Sequence, residues 1–476
     1  MSNNRVVARN SVWLIAQPFA LNIASMVVVA VIARHLGPAG YGGLVLFLAI
    51  VALLAPFINL GLRPYMVREV AGNPERVGEI AGELIPVRLI LTTVTLSIAA
   101  AIYPLLPSGM TLSWVALSCV AAQVVLNSLN TSLIDALYGL ERMRASATAM
   151  LVSGVFMQSA LAAAALMKLD LDYLLIIYVL GNLILGWRLR AALGDKTIGL
   201  RWLQAIANVG RYLGASWKFA VPGILGTIRA QLVPLFTVGA LGTAPLGQFG
   251  AAATLLEKLD VVPDGVGTAL YPRVVSLSGR DPKAASRLVR TLSRLMLMVA
   301  SAICVGLLFL SDAIVQLIFG PAFHETGTLL LIMGTALPFT FLTVVMFNVL
   351  NATGNQHSVA ILSAIVTVVG LVLLAVFVSI WGVLGVAVAY AVGSVINWTL
   401  YRWVFVRKFG ALLDFVDLGK ILLANAAMAL GLWACPEINV LFKIVLGAVI
   451  FGVFSMVLKL VSIKGLVALL RSEPTV

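Results

Sequence analysis

The chain has 476 residues, of which 61% are hydrophobic and only 11% carry a charge, and its mean hydropathy is +1.06. This composition excludes a soluble globular protein and a disordered chain, and it indicates a polytopic membrane protein. The formal net charge of +13 requires no nucleic-acid partner, because membrane proteins concentrate basic residues in their cytoplasmic loops, next to anionic headgroups.

Runs of roughly 20 apolar residues, each long enough to cross a bilayer as a helix, follow one another along the chain. They predict an all-α polytopic fold with about fourteen transmembrane helices. The predicted spans lie near residues 11–33, 40–62, 85–106, 112–136, 145–167, 172–190, 217–239, 247–270, 292–312, 326–349, 358–380, 383–404, 418–435 and 440–460. The first run is too long for the core of a signal peptide, so we expect it to remain as the first membrane helix.

The basic residues are distributed unevenly between the two sides of these spans. If the N-terminus is cytoplasmic, most of the 32 lysines and arginines fall in the termini and in the even-numbered gaps, most densely at 188–218 and 273–294. Because basic residues are retained on the cytoplasmic side of the membrane, this pattern predicts that both termini are cytoplasmic.

The sequence also contains an internal repeat. A shift of 208 residues, without a gap, aligns pairs of identical residues: Gly42 with Gly250, Leu62 with Leu270, Pro64 with Pro272, and Pro74 with Pro282. Asn73 precedes Pro74 and Asp281 precedes Pro282, and we expect both Asn73 and Asp281 to act as helix N-caps. Both copies begin on the same side of the membrane. Parallel repeats of this kind predict two pseudo-symmetric six-helix lobes around a central cavity that holds the binding site.

The repeat divides the chain into four predicted regions. They are an N-lobe at 1–190, a cytoplasmic linker at 191–216, a C-lobe at 217–404, and a C-terminal helix pair with a cytoplasmic tail at 405–476. Five apolar residues of the linker recur at helical spacing: Trp202, Leu203, Ile206, Val209 and Leu213. They predict a helix that lies in the cytoplasmic membrane interface.

Two neighbouring predicted spans, 217–239 and 247–270, carry an unusual number of charges: Arg229, Glu257, Lys258, Asp260 and Asp264. A charge at membrane depth costs roughly 2.5–3.5 kcal/mol even on a lenient insertion scale, so such residues pair with one another or line a water-filled cavity. The pattern therefore indicates transport of a charged substrate.

Signatures of an enzyme are missing from the sequence. It has no G-x-x-x-x-G-K-[ST] nucleotide motif, no H-E-x-x-H motif and no metal-spaced cluster of cysteine and histidine. The three cysteines are interpreted as small core residues. We therefore expect a secondary transporter with no cofactor and no metal.

Three stretches resemble the Wzx-type polysaccharide flippases, an O-antigen-like family of the multidrug/oligosaccharidyl-lipid/polysaccharide exporter superfamily. They are RNSVWLIAQ at 9–17, ARHLGPAGYG at 33–42 and LGLRPYMVREVAGNPE at 60–75. The resemblance implies that polyprenyl-diphosphate-linked oligosaccharide moves from the cytoplasmic to the outer leaflet of the inner membrane by alternating access, for surface polysaccharide biosynthesis. It implies the bilayer and the lipid-linked glycan as partners, and it suggests a polysaccharide polymerase and glycosyltransferases as further ones.

Such a load carries an anionic diphosphate, for which arginine supplies two parallel hydrogen bonds and lysine a mobile point charge. Four cations on the helices that line the superfamily's central cleft are the candidate substrate-binding residues: Arg229, Lys258, Arg34 and Arg63. The alternative for Arg229 is a salt bridge to Glu257 or Asp260. Arg34 and Arg63 lie near the membrane borders and could instead reach lipid headgroups. Arg88 is interpreted as an anchor at the inner face, with a third lobe contact as the alternative.

Glu257, Asp260 and Asp264 are separated by three and four residues and therefore stack along one helix face. Like charges close together in a low dielectric favour protonation of at least one of them, so these three are candidates for proton or sodium coupling. In the competing interpretation, Asp264 is only solvated, and the other two neutralise Arg229 and Lys258.

Two other functions on the same fold remain open from the sequence: a lipid II flippase and a multidrug or cation exporter. The exporter should carry a pocket dominated by acidic residues, and the presence of Arg229 and Lys258 argues against it. A membrane-embedded polymerase or ligase would need a sizeable outer loop, and every predicted outer loop is short.

Overall fold

The computed structural model describes residues 2–107, 110, 112–194, 198–263, 265, 274–277, 282–410, 412–435 and 439–460. For residues 2–24, 218–219, 221–222 and 282–283 it describes the backbone only. All regular secondary structure in these ranges is helical, which confirms the all-α prediction. By packing, the chain divides into two compact units, Met1–Gly250 and Ala251–Val476. The predicted lobe and linker boundaries stay a prediction.

The first unit contains seven helices and the first half of an eighth, and most of these helices are long. They are α1 Ser2–Asn59, α2 Leu62–Gly72, α3 Val77–Ile102, α4 Trp114–Gly139, α5 Met143–Leu166, α6 Leu171–Leu193, α7 Trp202–Leu241 and α8 Thr243–Leu259, which ends in the second unit. Short 3₁₀ turns at Pro74–Arg76 and Tyr103–Leu105 flank α3.

The described part of the second unit continues the same pattern. Its helices are α9 Pro282–Phe319, α10 His324–Gly334, α11 Leu337–Ala352, α12 Gln356–Trp381, α13 Val383–Phe409, α14 Phe415–Trp433 and α15 Val440–Val457. Helix α14, the first of the C-terminal pair, packs on α9. There Arg294 and Asp417 form an ion pair of 3.3 Å, and Asn425 donates a hydrogen bond of 2.9 Å to Ser301.

Membrane-spanning segments dominate both units. Among the described residues, 11 helices are long and apolar enough to cross a membrane, or up to 12 if one bent pair counts as a single span. The bent pair is α10 and α11, which meet at 49° and together cover the predicted span 326–349. Predicted span 11–33 lies in the first part of α1, and predicted span 247–270 begins within α8, with residues 264 and 266–270 outside the described ranges. Fourteen spans therefore stay a prediction.

Two glycines set equivalent breaks in the two copies of the repeat. Gly37 interrupts α1 with φ 65° and ψ −179°, and Gly242 separates α7 from α8 with φ 89° and ψ −175°. Glycine adopts such positive φ values without steric cost. Because Gly37 is equivalent to Gly242, Gly42 is equivalent to Gly247. The ungapped alignment of Gly42 with Gly250 is therefore wrong at this turn.

The segments that follow these glycines pack backbone against backbone within the first unit. A Cβ atom on Gly42 would overlap the carbonyl oxygen of Thr243, and a Cβ atom on Gly247 would overlap the carbonyl oxygen of Pro38. The contact is reciprocal, as expected for two copies of one motif. Small residues permit such close approach of membrane helices, because no side chain stands between the backbones.

The predicted linker helix forms the start of α7, and the chain passes from it into the span Gly223–Leu241 without a break. Ala205 and Tyr212 are buried in the core of the first unit, where α7 packs on α2 and α3. Trp202, Leu203 and Ile206 of the apolar stripe face the other way, and Leu203 is 82% exposed, whereas Val209 packs against the core. The exposed face is suited to a membrane interface.

Polar contacts fix the start of α7 to α3. The Arg201 guanidinium lies 3.0 Å from Glu79, and its backbone N–H donates to the Gly82 carbonyl at 2.8 Å. Tyr212 donates a hydrogen bond to Glu83. Burial raises the pKa of Tyr212, and the bond to Glu83 raises it further. Tyr212 therefore remains a neutral donor.

Of the two predicted caps, Asn73 is confirmed only in position. Asn73 precedes Pro74 at the start of the 3₁₀ turn that leads into α3, but its side chain makes no capping hydrogen bond. Capping by the Asn73 side chain was therefore a wrong prediction. Asp281 lies outside the described residues, and Pro282 begins α9.

Candidate functional site

The seven predicted site residues are divided between the two units, and each unit is described by itself. Arg34, Arg63 and Arg229 belong to the first unit, and all three are exposed. Arg229 lies within the span Gly223–Leu241. Convergence of these arginines on one cavity stays a prediction.

The acidic candidates lie at the end of α8, in the second unit. Glu257 and Asp260 are exposed, and Lys258 between them is half-buried. The helix ends at Leu259, and the Asp260 backbone N–H still donates to the Leu256 carbonyl, at 3.3 Å. Asp264 lies outside the described residues. Coupling of an ion by this group therefore stays a prediction.

Arg63 owes its position to a sharp turn after α1. Gly61, with φ 74°, precedes the first residue of α2, and the preceding Leu60 also has a positive φ of 32°. The turn brings Arg63 against α4. There its Nε lies 3.0 Å from Asp135 Oδ1, with the arginine side chain 51% exposed, and its guanidinium carbon lies 5.2 Å from the centre of the Tyr138 ring.

Asp135 also pairs with a second arginine, Arg88 on α3. The Arg88 Nη2 donates to Asp135 Oδ2 at 2.5 Å, and Nη1 donates to the Ser132 hydroxyl at 2.8 Å. Both charged side chains are 0% exposed. The Ser132 hydroxyl in turn donates to the Ser128 carbonyl at 3.0 Å. One carboxylate is therefore shared by a fully buried arginine and a half-exposed one.

The interpretation of Arg88 as an inner-face anchor was wrong, because its side chain points into the helix bundle. Asp135 was not identified from the sequence, since its partner is 47 positions away in the chain. One signal could have found the pair. Spans 85–106 and 112–136 each contain a charge, and charges at membrane depth usually have a partner.

This three-residue cluster, Arg63, Arg88 and Asp135, has a net charge of +1 when all three groups are ionised. Arg88 neutralises Asp135 inside the bundle, so the excess charge resides at Arg63, which is accessible. Removing one member of a fully buried ion pair costs about 3–5 kcal/mol, because the other charge is left without compensation. The cluster can therefore hold the Arg63 guanidinium at a fixed place, where an anion can bind to it.

Potential metal-ligating side chains are dispersed in the part of the chain that the structure describes. Within those ranges no group of three or more histidine, cysteine, aspartate or glutamate side chains could hold a metal ion. Cys119, Cys304 and Cys435 are free thiols.

Long apolar helices and a buried charge cluster define the chain as a multi-pass membrane protein, and solved structures show which transport fold it has. The structure of "Lipid II flippase MurJ, inward closed conformation" is 16% identical, with 93% of this chain and 98% of that chain covered and a TM-score of 0.71. An inward-facing multidrug resistance MATE family transporter of the MOP superfamily is 13% identical, with 82% and 95% covered and a TM-score of 0.66. These similarities concern the fold.

Sequence comparison then identifies the family. A profile described as "Polysaccharide biosynthesis protein" matches residues 7–278, more than half of the chain, and the chain belongs to this family. The profile "Lipid II flippase MurJ" matches residues 263–462. The "Putative O-antigen transporter" of Shigella flexneri is 23% identical over 426 residues, which cover 84% of this chain and 98% of that protein. The resemblance to polysaccharide flippases is confirmed, and the chain is a transporter.

Proposed function

We propose that the chain is a flippase that moves polyprenyl-diphosphate-linked oligosaccharide repeat units from the cytoplasmic to the outer leaflet of the inner membrane by alternating access. Its family and its similarity to the Shigella flexneri protein support this function. The observation that carries the proposal is Arg229, exposed within the apolar span Gly223–Leu241. A guanidinium facing acyl chains is costly, so its exposure favours a water-lined cavity and an anionic load.

The diphosphate is the part of the load that these cations would recognise. Arginine donates two parallel hydrogen bonds to phosphate, and lysine adds a mobile charge. Arg34, Arg63 and Arg229 in the first unit and Lys258 in the second are our proposed phosphate contacts. Arg63 has the best-defined environment of the four, since Asp135 and Tyr138 hold it in place.

Replacement of Arg229 tests the function directly. A charge-assisted hydrogen bond is worth about 1.5–3 kcal/mol, so Arg229→Ala should reduce export of surface polysaccharide in cells by at least about tenfold. The measurement is surface glycan on gels, normalised to the amount of transporter in the membrane. Arg229→Lys keeps the charge and should retain part of the activity.

A matched control is Arg290→Gln. Arg290 is an exposed arginine of α9, paired with Asp414 at 3.7 Å, and it is not among the proposed phosphate contacts. Its replacement should leave glycan export unchanged. Wild-type export by a membrane-inserted Arg229→Ala variant would remove Arg229 from the mechanism.

We also propose that Glu257 and Asp260, with Asp264, couple transport to a proton or sodium gradient. The two described carboxylates are exposed near the end of α8, with Lys258 between them. Carboxylates that crowd together in a membrane exchange protons or bind cations more readily than isolated ones in water.

This coupling predicts a loss of gradient dependence. In proteoliposomes, a Glu257→Gln/Asp260→Asn variant should move substrate at a rate that no longer responds to an imposed proton or sodium gradient. We expect its gradient-driven rate to fall about tenfold or more, to the rate without a gradient. An unchanged gradient response of this variant, with normal membrane insertion, would contradict the assignment.

Lipid II translocation is the second candidate function, because the profile "Lipid II flippase MurJ" matches residues 263–462. The diphosphate is common to both loads, and only the glycan differs. The two functions separate in cells depleted of their own lipid II flippase: growth supported by this chain would favour lipid II as its load. The similarity to MATE transporters concerns the fold and supplies no observation in favour of drug export.

The remaining parts of the proposal concern location and partners. We place the chain in the inner membrane with both termini cytoplasmic, because this orientation puts most basic residues on the cytoplasmic side. A polysaccharide polymerase and glycosyltransferases are the proposed functional partners, since a flippase must receive a finished lipid-linked unit and deliver it for assembly.

A further inference from the structure

We propose that Asp135 is an internal counter-anion of the transport site: it holds Arg63 while no load is bound and releases Arg63 to the phosphate of the load, with Arg88 as its permanent partner. This inference rests on the proposed function, because it assumes an anionic load. It assigns roles to Asp135 and Arg88 as positioning residues that act through Arg63.

The two arginines hold Asp135 unequally. Arg88 is 0% exposed and donates a hydrogen bond of 2.5 Å to Oδ2, so it has no route to another partner. Arg63 is half-exposed, and its Nε lies 3.0 Å from Oδ1. The contact with Arg63 is therefore an ion pair that can be exchanged.

Arg88 makes this exchange inexpensive. When Arg63 leaves, Arg88 and Asp135 remain as a compensated pair inside the bundle. Without Arg88, the departure of Arg63 would leave a buried carboxylate with no counter-charge, which is strongly unfavourable. A carboxylate with two arginines is thus suited to giving up one of them, whereas a carboxylate with one arginine is not.

The surroundings of Arg63 suit phosphate. The Tyr138 ring lies under the guanidinium at 5.2 Å, which supports its face and leaves the N–H groups along its edge for hydrogen bonds. A diphosphate has more negative charge than one carboxylate and accepts several such bonds, so it competes well for the guanidinium. The ligand chemistry is a phosphate-bearing anion, either the diphosphate of the load or the headgroup of an anionic phospholipid.

The cluster lies at one end of the bundle. Asp135 precedes the end of α4 at Gly139 by one turn, and Arg63 lies in the first turn of α2. In the proposed orientation this end is cytoplasmic, where a lipid-linked unit enters. Exchange at Arg63 would therefore accompany loading.

The test measures binding of farnesyl diphosphate to the purified full chain in nanodiscs of zwitterionic lipid. Arg63→Ala should bind this probe roughly tenfold more weakly, since one charge-assisted contact is lost. Arg88→Met should also weaken binding, by at least about tenfold, because Asp135 can no longer release Arg63. The double variant Arg88→Met/Asp135→Leu should bind roughly two- to fivefold more tightly, because the competing carboxylate is gone.

Arg88→Met is thus expected to weaken probe binding and the double variant to strengthen it. A cluster with only a structural role would not produce these opposite effects. A folded double variant that binds the probe as weakly as Arg88→Met, or no more tightly than the wild type, overturns the inference. If the double variant does not fold, a second comparison decides. Arg88→Met should have no effect on binding in the Arg63→Ala background, and a persisting effect overturns the inference equally. Arg290→Gln is the control and should bind normally.

Two further measurements complete the test. One distinguishes failure of this inference from failure of the proposed function, and the other distinguishes the load from lipid headgroups as the ligand of Arg63. A wild-type chain that does not bind farnesyl diphosphate contradicts the proposed function and this inference together, whereas normal wild-type binding with a failed sign test contradicts the inference alone. In nanodiscs that contain phosphatidylglycerol, the contribution of Arg63 to probe binding should persist. Its disappearance would assign Arg63 to lipid headgroups and overturn exchange with the load.

Discussion

Asp135→Leu is expected to lower the free energy of unfolding by about 3–5 kcal/mol, because it leaves the guanidinium of Arg88 buried without a counter-charge. The side chain of Arg88 is 0% exposed, so it has no access to water that would solvate the charge. Its remaining side-chain hydrogen bond, to the Ser132 hydroxyl, is to a neutral group. The measurement is a thermal melt or denaturant titration of the detergent-purified chain.

The matched control for this prediction removes both charges. Arg88→Met/Asp135→Leu should be much closer to the wild type in stability, since apolar residues of similar volume often replace a buried ion pair without loss. Arg290→Gln removes one member of an exposed pair, and such pairs contribute only about 0.2–1 kcal/mol. Equal destabilisation by the single and the double variant would mean that packing, rather than uncompensated charge, determines the cost.

Particular helices show how much of the fold the sequence predicts. The apolar runs predicted α3 to α6 and α12 to α15 well, because a bilayer crossing demands about 20 apolar residues whatever the helix packs against. The same rule could not reveal that residues 2–59 form one helix broken at Gly37, or that the span 326–349 bends between α10 and α11. Such breaks depend on backbone angles at single residues, which hydropathy does not register.

The charge cluster shows the limit of sequence reasoning about the site. Arg63 was a candidate because the resemblance places its helix at the central cleft, whereas its ion pair with Asp135 depends on the turn at Gly61 and on the packing of α2 against α4. Beyond the rule that charges at membrane depth usually have a partner, a single sequence does not say which of several charged residues meet. The spacing of Glu257, Asp260 and Asp264 is a local pattern, and it predicted a coupling group in this part of the sequence. The contact between Arg88 and Asp135 is not local.

Gly42→Ala is expected to have a large effect on transport, because its Cβ would overlap the backbone carbonyl oxygen of Thr243. A backbone atom cannot rotate away as the end of a side chain can, so α1 and α8 must separate at this point. Overpacking of this kind typically costs about 1–3 kcal/mol. Since both helices belong to the repeat proposed to enclose the load, we expect export of surface glycan to fall at least about fivefold.

Two matched variants make this prediction specific. Gly247→Ala introduces the reciprocal overlap, with the carbonyl of Pro38, and should reproduce the defect. Because either substitution already separates the two helices, Gly42→Ala/Gly247→Ala should be less harmful than the sum of the single effects. Gly370 in α12 has open space where its Cβ would lie, so Gly370→Ala should export glycan normally. Normal export by Gly42→Ala would show that the two helices separate during transport without cost, and that this contact does not limit the cycle.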